Sequence, residues 1–227
     1  MLYPVLKRVI VAVGRGWFRL SWAGADRVPR EGRLIIAANH LSVLDPPLIG
    51  AVCPRELDYM AKAELFRIPG LAGLIRRLNA HPVDRSGSDS AALRLALRLL
   101  GEGRAILVFP EGTRGTEGRF QAARAGTGML VALSEAPVVP VYVQGTGRAL
   151  PRGAVVPRPV RVRVTFGAPL RFARGRGRTR YQEISEEIMA AIGRLKTDAE
   201  RRHPAAAVED PRTDSTTRGR ALAGRIH

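Results

Sequence analysis

Short apolar runs that alternate with helical patterns constrain the fold of this 227-residue chain more than any other feature. Each run is followed by polar or turn-forming residues, which is typical of strands in a sheet. The runs cover residues 34–38, 80–83, 105–109, 138–143 and 160–166. Strands that alternate with helices predict an α/β fold, with a mixed, largely parallel sheet flanked by helices.

The segments between and after these runs indicate helices and a polar tail. Ser88 can cap a helix that ends near Leu100, and a capping-box pattern opens another helix at Thr179 that runs to about Leu195. After Lys196 few large apolar residues remain to offset the entropy of ordering. The predicted organisation is an amphipathic helix within 1–24, a domain over 25–196 and a disordered tail over 197–227.

The first segment has an amphipathic helical pattern over residues 2–19. Two interpretations remain open from the pattern alone: a helix that lies in an anionic membrane interface, and an ordinary helix that packs on its own core. Basic residues interrupt the segment too often for a membrane span. The apolar side carries Val5, Leu6, Val9, Ile10, Val13 and Trp17, and the basic residues are Lys7, Arg8, Arg15 and Arg19.

The charge balance limits the classes of partner. The chain has 37 Lys and Arg against 20 Asp and Glu, a formal net charge of +17, so it attracts anions such as phosphate headgroups, acidic carrier proteins or nucleic acid. We find no helix-turn-helix or zinc-finger pattern, and aromatic residues are only 5% of the chain, so nucleic acid is disfavoured. Cys53 is the only cysteine, which excludes an internal disulfide and favours a reducing compartment.

The first candidate for chemistry is a histidine and an aspartate that follow the apolar run at 34–38. An imidazole that hydrogen-bonds a carboxylate through one nitrogen is a general base with a fixed tautomer. His40 and Asp45 are five positions apart, which corresponds to about 140° of rotation on a straight helix. His40 is therefore predicted to lie on the loop, with Asp45 as the cap of the next helix.

Two further clusters also follow predicted strands. In residues 109–114, Glu111 can accept hydrogen bonds from substrate hydroxyls, Gly112 permits close backbone approach and Arg114 can bind a phosphate. Arg85 follows the run at 80–83 and is a second candidate for the phosphate. Two arginines at strand ends indicate a phosphomonoester pocket, although a plain turn would use proline and glycine equally well.

Taken together, these blocks resemble the glycerolipid acyltransferases of the lysophosphatidic acid acyltransferase type. The resemblance covers roughly residues 30–170, and five blocks in order are far more specific than one. It implies a glycerol-3-phosphate acyltransferase-like fold. The blocks are residues 40–45, 60–69, 81–85, 109–114 and 138–141.

The resemblance implies a role for each block. His40 takes the proton from an acceptor hydroxyl, and Asp45 orients His40. The acceptor's glycerol phosphate site is implied for Arg85, Glu111, Gly112, Thr113 and Arg114. Val139 and Pro140 either line the acyl side of the site or are structural. No metal or prosthetic group is expected, because a thioester donor is already activated.

This sequence departs from the family pattern at Asn79 and His81, where the family usually has glycine and an apolar residue. Because no aspartate lies five residues beyond His81, we interpret this histidine as incidental to the chemistry.

The implied function is transfer of a fatty acyl group from acyl-CoA or acyl carrier protein to the sn-2 hydroxyl of 1-acylglycerol 3-phosphate, giving phosphatidic acid. The alternatives are the same chemistry on glycerol 3-phosphate, another lysophospholipid or a lyso-ornithine lipid, and a basic nucleic-acid- or membrane-binding module without catalysis. With a lipid acceptor, the interface interpretation of the first helix gains weight. We then expect a peripheral enzyme on the cytoplasmic face of the cell membrane, with the anionic membrane surface as its partner.

Overall fold

A computed structural model describes residues 2–83 and 89–202. It has seven strands: β1 Ser21–Ala23, β2 Leu34–Ala38, β3 Asp58–Lys62, β4 Ala80–Val83, β5 Ala105–Val108, β6 Val138–Gln144 and β7 Arg163–Phe166. Its α-helices are α1 Leu2–Phe18, α2 Asp45–Val52, α3 Leu71–Arg77, α4 Asp89–Gly101, α5 Ala125–Ser134, α6 Thr146–Ala149 and α7 Arg178–Arg202. Two short 3-10 segments lie at Ala25–Arg27 and Ala63–Arg67.

The strands form one sheet in the order β1-β7-β6-β2-β5-β3-β4. Neighbouring strands are parallel except for β6 and β7, which are antiparallel. This confirms the predicted α/β class and the largely parallel sheet. The central strand β2 pairs with both β5 and β6, so the loops that follow β2 and β5 lie side by side.

Alternate residues of the central strands pack into two separate cores. Leu34 and Ile36 face a cluster that includes residues of α1 and α2, while Ile35 and Ala37 face a cluster that includes residues of α4, α5 and α7. All five residues of β2 are buried, as expected for a parallel strand that is covered on both faces. The continuous apolar runs of the sequence therefore mark the strands at the centre of the sheet.

Helices α5 and α7 approach each other closely at Gly128. A Cβ atom at this position would lie 1.8 Å from the carbonyl oxygen of Tyr181, so only glycine fits there. The Gly128 N–H donates to the hydroxyl of Ser185 on α7 at 2.8 Å. This contact closes the core on that face of the sheet.

Two predicted boundaries are wrong. Helix α7 continues to Arg202, so residues 197–202 are not part of a disordered tail. Ala199 extends the buried face of the helix and Lys196 pairs with Glu200 one turn on, at 3.0 Å. At the other end, β1 pairs with β7, so residues 21–23 of the predicted 1–24 segment belong to the sheet. The remainder of the predicted tail, 203–227, lies outside the described residues.

Other predictions differ by a few residues or were missing. Helix α4 matches the predicted helix to about Leu100, while its predicted cap Ser88 lies outside the described residues. The run at 160–166 forms a strand only over Arg163–Phe166. Strands β1 and β3 were not predicted, because β1 has three residues and β3 begins with a buried aspartate, Asp58, and ends with a lysine.

Helix α1 packs one face and exposes the other. Tyr3 and Phe18 are buried, and the Tyr3 hydroxyl accepts a hydrogen bond from the N–H of Leu57 at 3.1 Å. On the outer side lie four apolar side chains, each between 50% and 56% exposed, which we call the α1 stripe: Val5, Val9, Val13 and Trp17. None of the helices in residues 2–83 and 89–202 combines the length and apolarity that a membrane span needs.

Candidate active site

The histidine loop, residues 39–45, follows β2, and the 109–115 turn follows β5. Because β2 and β5 are parallel neighbours, with Ala37 opposite Val108, both segments leave the sheet at the same edge. Carboxyl ends of parallel strands are where open α/β sheets place their sites. The fold therefore brings together the two blocks that the sequence places 70 residues apart.

His40 and Asp45 form a hydrogen-bonded pair. The Nδ1 of His40 lies 2.8 Å from Oδ2 of Asp45, and Asp45 is 0% exposed. The same Oδ2 accepts the backbone N–H groups of Leu41 at 2.6 Å and Ser42 at 2.8 Å. A carboxylate with three donors on one oxygen is held rigidly, so it fixes the orientation of the imidazole. Nε2 of His40 makes no hydrogen bond to any residue in the described part of the chain.

Helix α2 begins at Asp45 itself, with Leu44 as its N-cap. The prediction that Asp45 caps the helix is therefore wrong, because its side chain turns back onto the preceding loop instead of onto the helix. The prediction that His40 lies on the loop is confirmed.

The 109–115 turn holds His40 on three sides. Oε1 of Glu111 accepts the backbone N–H of His40 at 2.9 Å, and the N–H of Gly115 donates to the His40 carbonyl at 2.8 Å. The ring of Phe109 stacks on the imidazole, with centroids 4.0 Å apart and planes 16° apart. The backbone and the ring of His40 are thus fixed by a segment distant in sequence.

Glu111 differs from its expected role as a contact for substrate hydroxyls. Its side chain is 1% exposed, and its second oxygen accepts the N–H of Gln121 at 2.6 Å, so both oxygens bind backbone N–H groups of the chain. Burial raises the pKa of the Glu111 carboxyl, and the hydrogen bonds from Gln121 and His40 partly oppose this shift. The structure gives Glu111 a positioning role toward His40.

Asn39 fixes the other side of the histidine loop. Its Nδ2 donates to the carbonyl of Val143 at 2.9 Å, and its Oδ1 accepts the N–H of Val143 at 2.7 Å. Asn39 is fully buried and completes the pairing between the end of β2 and β6. Asn39 has no predicted role from the sequence, where its only mark is its position directly after a buried-strand run.

Comparison with known proteins identifies the family. A family model described as Acyltransferase matches residues 19–144, more than half of the chain, including the histidine loop and the 109–115 turn. The chain belongs to the acyltransferase family. It is an enzyme of acyl transfer, as the blocks in its sequence implied.

Individual relatives agree with this assignment. The acyltransferase is 26% identical over 175 residues to the 1-acyl-sn-glycerol-3-phosphate acyltransferase of Bacillus subtilis (strain 168), which covers 75% of this chain and 85% of that protein. It is 26% identical over 141 residues to a chloroplastic 1-acyl-sn-glycerol-3-phosphate acyltransferase of Arabidopsis thaliana, covering 61% of this chain and 39% of that protein. The crystal structure of the 1-acyl-sn-glycerophosphate (LPA) acyltransferase PlsC from Thermotoga maritima matches with a TM-score of 0.69 and 29% identity, over 85% of this chain and 80% of that one.

Three of the remaining residues that were predicted to bind the acceptor lie in the 109–115 turn, and the fourth lies outside the described residues. Gly112 has φ of +66°, a left-handed conformation that favours glycine, and a Cβ atom there would lie 2.7 Å from the Arg124 side chain. Thr113 is exposed, and Arg114 is half-buried without a hydrogen bond or ion pair to a residue of 2–83 or 89–202. Arg85 lies outside the described residues.

Val139 and Pro140 have packing roles in this structure. Val139 is fully buried in the core beside α1 and α2, and Pro140 is buried where its ring contacts the position of Gly167. The carbonyl of Pro140 accepts the N–H of Gly167 at 2.8 Å. Of the two expected roles, these contacts favour the structural one.

A further carboxyl group, that of the half-buried Glu117, lies near the histidine loop. Its Oε1 accepts the N–H of Gly145 at 2.7 Å, while Oε2 is buried with no hydrogen-bond partner among the described residues. Burial raises the pKa of Glu117, and the charge of Asp45 adds to that rise. Neither the residue type nor the spacing of Glu117 in the sequence marks it as part of the site.

His81 has an acidic partner that its local sequence does not reveal. Its Nε2 lies 2.7 Å from Oδ1 of Asp58, and Asp58 also accepts two hydrogen bonds from Arg104, both at 2.7 Å. These residues lie near the amino ends of β3, β4 and β5, the opposite edge of the sheet from His40. His81 is thus structurally paired and remote from the candidate active site.

Proposed function

We propose that this acyltransferase transfers a fatty acyl group from a thioester, acyl-CoA or acyl carrier protein, to the sn-2 hydroxyl of 1-acylglycerol 3-phosphate. The product would be phosphatidic acid, a precursor of phospholipids. The observation that carries the proposal is the His40 imidazole, held through Nδ1 by a buried carboxylate with Nε2 left for a substrate. The similarity to the Bacillus 1-acyl-sn-glycerol-3-phosphate acyltransferase and to the Thermotoga LPA acyltransferase supports this acceptor.

In the proposed reaction, Nε2 of His40 removes the proton of the acceptor hydroxyl as its oxygen attacks the thioester carbonyl carbon. Asp45 stabilises the imidazolium that forms, because its carboxylate lies 2.8 Å from Nδ1. The tetrahedral intermediate then collapses, the carbon–sulfur bond breaks, and the departing thiolate takes the proton from His40. The products are an ester and a free thiol, and the enzyme is restored. The proposal includes no metal or prosthetic group, since the thioester is already activated.

The acceptor phosphate is proposed to bind Arg114, with Arg85 as its second partner. Arg114 lies in the 109–115 turn that holds His40 and has no acidic partner in the described structure, so its guanidinium is available to an anion. Gly112 and Thr113 complete the turn beside it. Glu111 acts through the His40 backbone instead of through the substrate.

The lipid acceptor suggests where the enzyme works. We propose that α1 lies on an anionic membrane surface, with the α1 stripe in the lipid and basic residues at the headgroups. A groove beside α1 is lined by Lys7, Arg8 and Arg15, which fits phosphate headgroups. We further propose that the enzyme is peripheral on the cytoplasmic face of the cell membrane, since its single cysteine favours a reducing compartment.

The test measures thiol release from palmitoyl-CoA by the purified protein with lysophosphatidic acid, with glycerol 3-phosphate and with no acceptor. We expect release only with lysophosphatidic acid, and phosphatidic acid as the lipid product by mass spectrometry. An Arg114→Gln variant should raise KM for the acceptor by roughly tenfold or more, because a charge-assisted contact to the phosphate is lost. Release with another acceptor alone would contradict the proposed substrate and retain the chemistry, and a parallel assay with acyl carrier protein identifies the donor.

A further inference from the structure

Beyond α1, we propose that the 151–158 loop is a second membrane-contacting element, which forms with the α1 stripe one surface that docks on an anionic bilayer next to His40. The inference deepens the proposed function, since it names the partner surface that the lipid acceptor requires. It rests on exposure, anchoring, charge and position, each of which is a separate observation.

The loop exposes two adjacent valines. Val155 is 89% exposed and Val156 is 75% exposed, more than any other large apolar side chain in the described part of the chain. Two neighbouring apolar side chains at a loop tip do not pack in the core. Transfer of their apolar surface from water to a partner is therefore energetically favourable. Such a protruding tip is suited to insertion among lipid headgroups and acyl chains.

The base of the loop is fixed, so the valines project from a defined place. The N–H of Arg158 donates to the carbonyl of Ala149 at 2.7 Å, which closes the loop, and a turn within it joins the N–H of Ala154 to the carbonyl of Pro151 at 3.0 Å. The indole N–H of Trp17 donates to the carbonyl of Pro157 at 3.2 Å. Because Trp17 is the last member of the α1 stripe, the loop continues the apolar surface of α1.

The charge around this surface identifies an anionic partner. Residues 1–25 contain four basic residues and no acidic one, and the loop segment 149–163 contains four arginines and no aspartate or glutamate. Arg152 and Arg158 flank the two valines and are exposed, as is Arg161 just beyond. Each basic side chain near an anionic membrane contributes about 1 kcal/mol of attraction, so apolar tips with flanking arginines fit anionic lipid better than another protein's apolar face.

The loop also adjoins the catalytic segment. The hydroxyl of Ser42, two residues after His40, donates to the carbonyl of Leu150 at 2.9 Å, directly before the loop begins. Val43 in the histidine loop is 56% exposed. Docking through the loop therefore brings the histidine loop to the bilayer, where a lysolipid can reach His40 with its acyl chain still in the membrane.

The direct test places an environment-sensitive fluorophore on the loop tip. Cys53 is buried, so a Val155→Cys variant carries one accessible thiol for an NBD label. With vesicles of phosphatidylcholine and phosphatidylglycerol, the emission should shift to the blue and be quenched by brominated lipids. The matched control is Glu187→Cys on α7, which is exposed on the opposite face of the sheet and should show neither change.

A second measurement uses vesicle sedimentation. The double variant Val155→Ser with Val156→Ser should reduce partitioning onto anionic vesicles by roughly tenfold or more, because burial of two valines is lost. The double variant with leucine at both positions should retain wild-type partitioning. Thermal unfolding and thiol release with a short-chain, water-soluble lysolipid should stay unchanged in both, while release with the acceptor embedded in vesicles should fall only in the serine variant.

The outcomes separate this inference from the proposed function. A label at 155 that stays in water while one at Val9 enters lipid would overturn the loop proposal and leave α1 as the membrane element. The serine variant could also retain its vesicle partitioning but lose a self-associated form in analytical ultracentrifugation. This result would assign the valines to a contact with a second copy of the chain and would equally overturn the loop proposal. Inactivity of the wild-type enzyme with every soluble lysolipid would count against the proposed acceptor, whereas the labelling result stands without activity.

Discussion

Two histidine–aspartate pairs of nearly equal geometry lie at opposite edges of the sheet in the described part of the chain. His40 and Asp45 are 2.8 Å apart after the carboxyl end of β2, and His81 and Asp58 are 2.7 Å apart near the amino ends of β3 and β4. Both aspartates are buried. The pairs differ in what surrounds them, and this difference separates a candidate catalytic base from a structural ion pair.

The charge of each aspartate is compensated in a different way. Asp58 accepts two hydrogen bonds from the Arg104 guanidinium, so a permanent cation balances it and the histidine adds little. Among the described residues, the donors to Asp45 are backbone N–H groups and His40, so an imidazolium at His40 is its cationic partner there. A general base needs a carboxylate whose charge is free to stabilise the protonated ring, and only the first pair has one.

The largest expected effect comes from removing each imidazole. His40→Ala should lower the rate of thiol release by roughly a hundredfold to ten-thousandfold, because no other group takes the acceptor proton. His81→Ala should leave the rate within a small factor of wild type. Assays at a temperature well below unfolding, with circular dichroism as the folding control, test this contrast, and equal losses in the two variants would remove the distinction between the pairs.

Substitution of Asp45 should affect activity, whereas substitution of Asp58 should affect stability. Asp45→Asn should lower the rate by roughly a hundredfold or more, since an amide does not stabilise the imidazolium. Asp58→Asn should instead lower the free energy of unfolding by about 1–3 kcal/mol, because Arg104 loses its counter-charge, while the rate is retained. Urea unfolding and thiol release on both variants test this, and a stable but inactive Asp58→Asn protein would contradict it.

The two histidines also differ in their aromatic contacts. The ring of Phe109 stacks on His40, whereas no aromatic ring of the described residues contacts the ring of His81. Phe109→Leu should reduce the rate by up to roughly tenfold, since an aromatic pair contributes about 0.5–1.5 kcal/mol to orientation of the ring. KM for the thioester should change less than kcat. Phe172→Leu, in a half-buried ring of the other core, is the control, and an equal loss there would attribute the effect to packing in general.

The smallest expected effect is a pH dependence near the first pair. Burial raises the pKa of Glu117, so the folded protein binds this proton more tightly than the unfolded chain. The resulting stability is present below the ordinary pKa of glutamate and is lost as pH rises through the raised value. Relative to Glu117→Gln, the wild-type protein should therefore gain free energy of unfolding as pH falls from 7 toward 5. A difference between the two proteins that is constant with pH would exclude a raised pKa at this position.

The sequence by itself determined the class of the fold and identified the first pair, His40 and Asp45, as candidates for catalysis. Runs such as Leu34–Ala38 are apolar at every position, which marks central strands covered on both faces. His40 and Asp45 are close in sequence, so their pairing depends on one loop and follows from local spacing. The family pattern supplied the remaining blocks, because their order along the chain is visible without coordinates.

Only the tertiary structure decided which groups support that pair and which residues stay in water. The hydrogen bonds between the His40 N–H and Glu111 and between Asn39 and Val143 join residues 71 and 104 positions apart, and the sequence contains no local signal for which residues pair. His81 looked unpaired for the same reason, since Asp58 lies on a neighbouring strand. Valine is a residue type that is common in buried strands, yet Val155 and Val156 remain exposed because the rest of the chain does not pack on them. Spacing along the chain determines which residues meet within one loop. Contacts between different loops depend on the strand order of the sheet and on how the two hydrophobic cores pack.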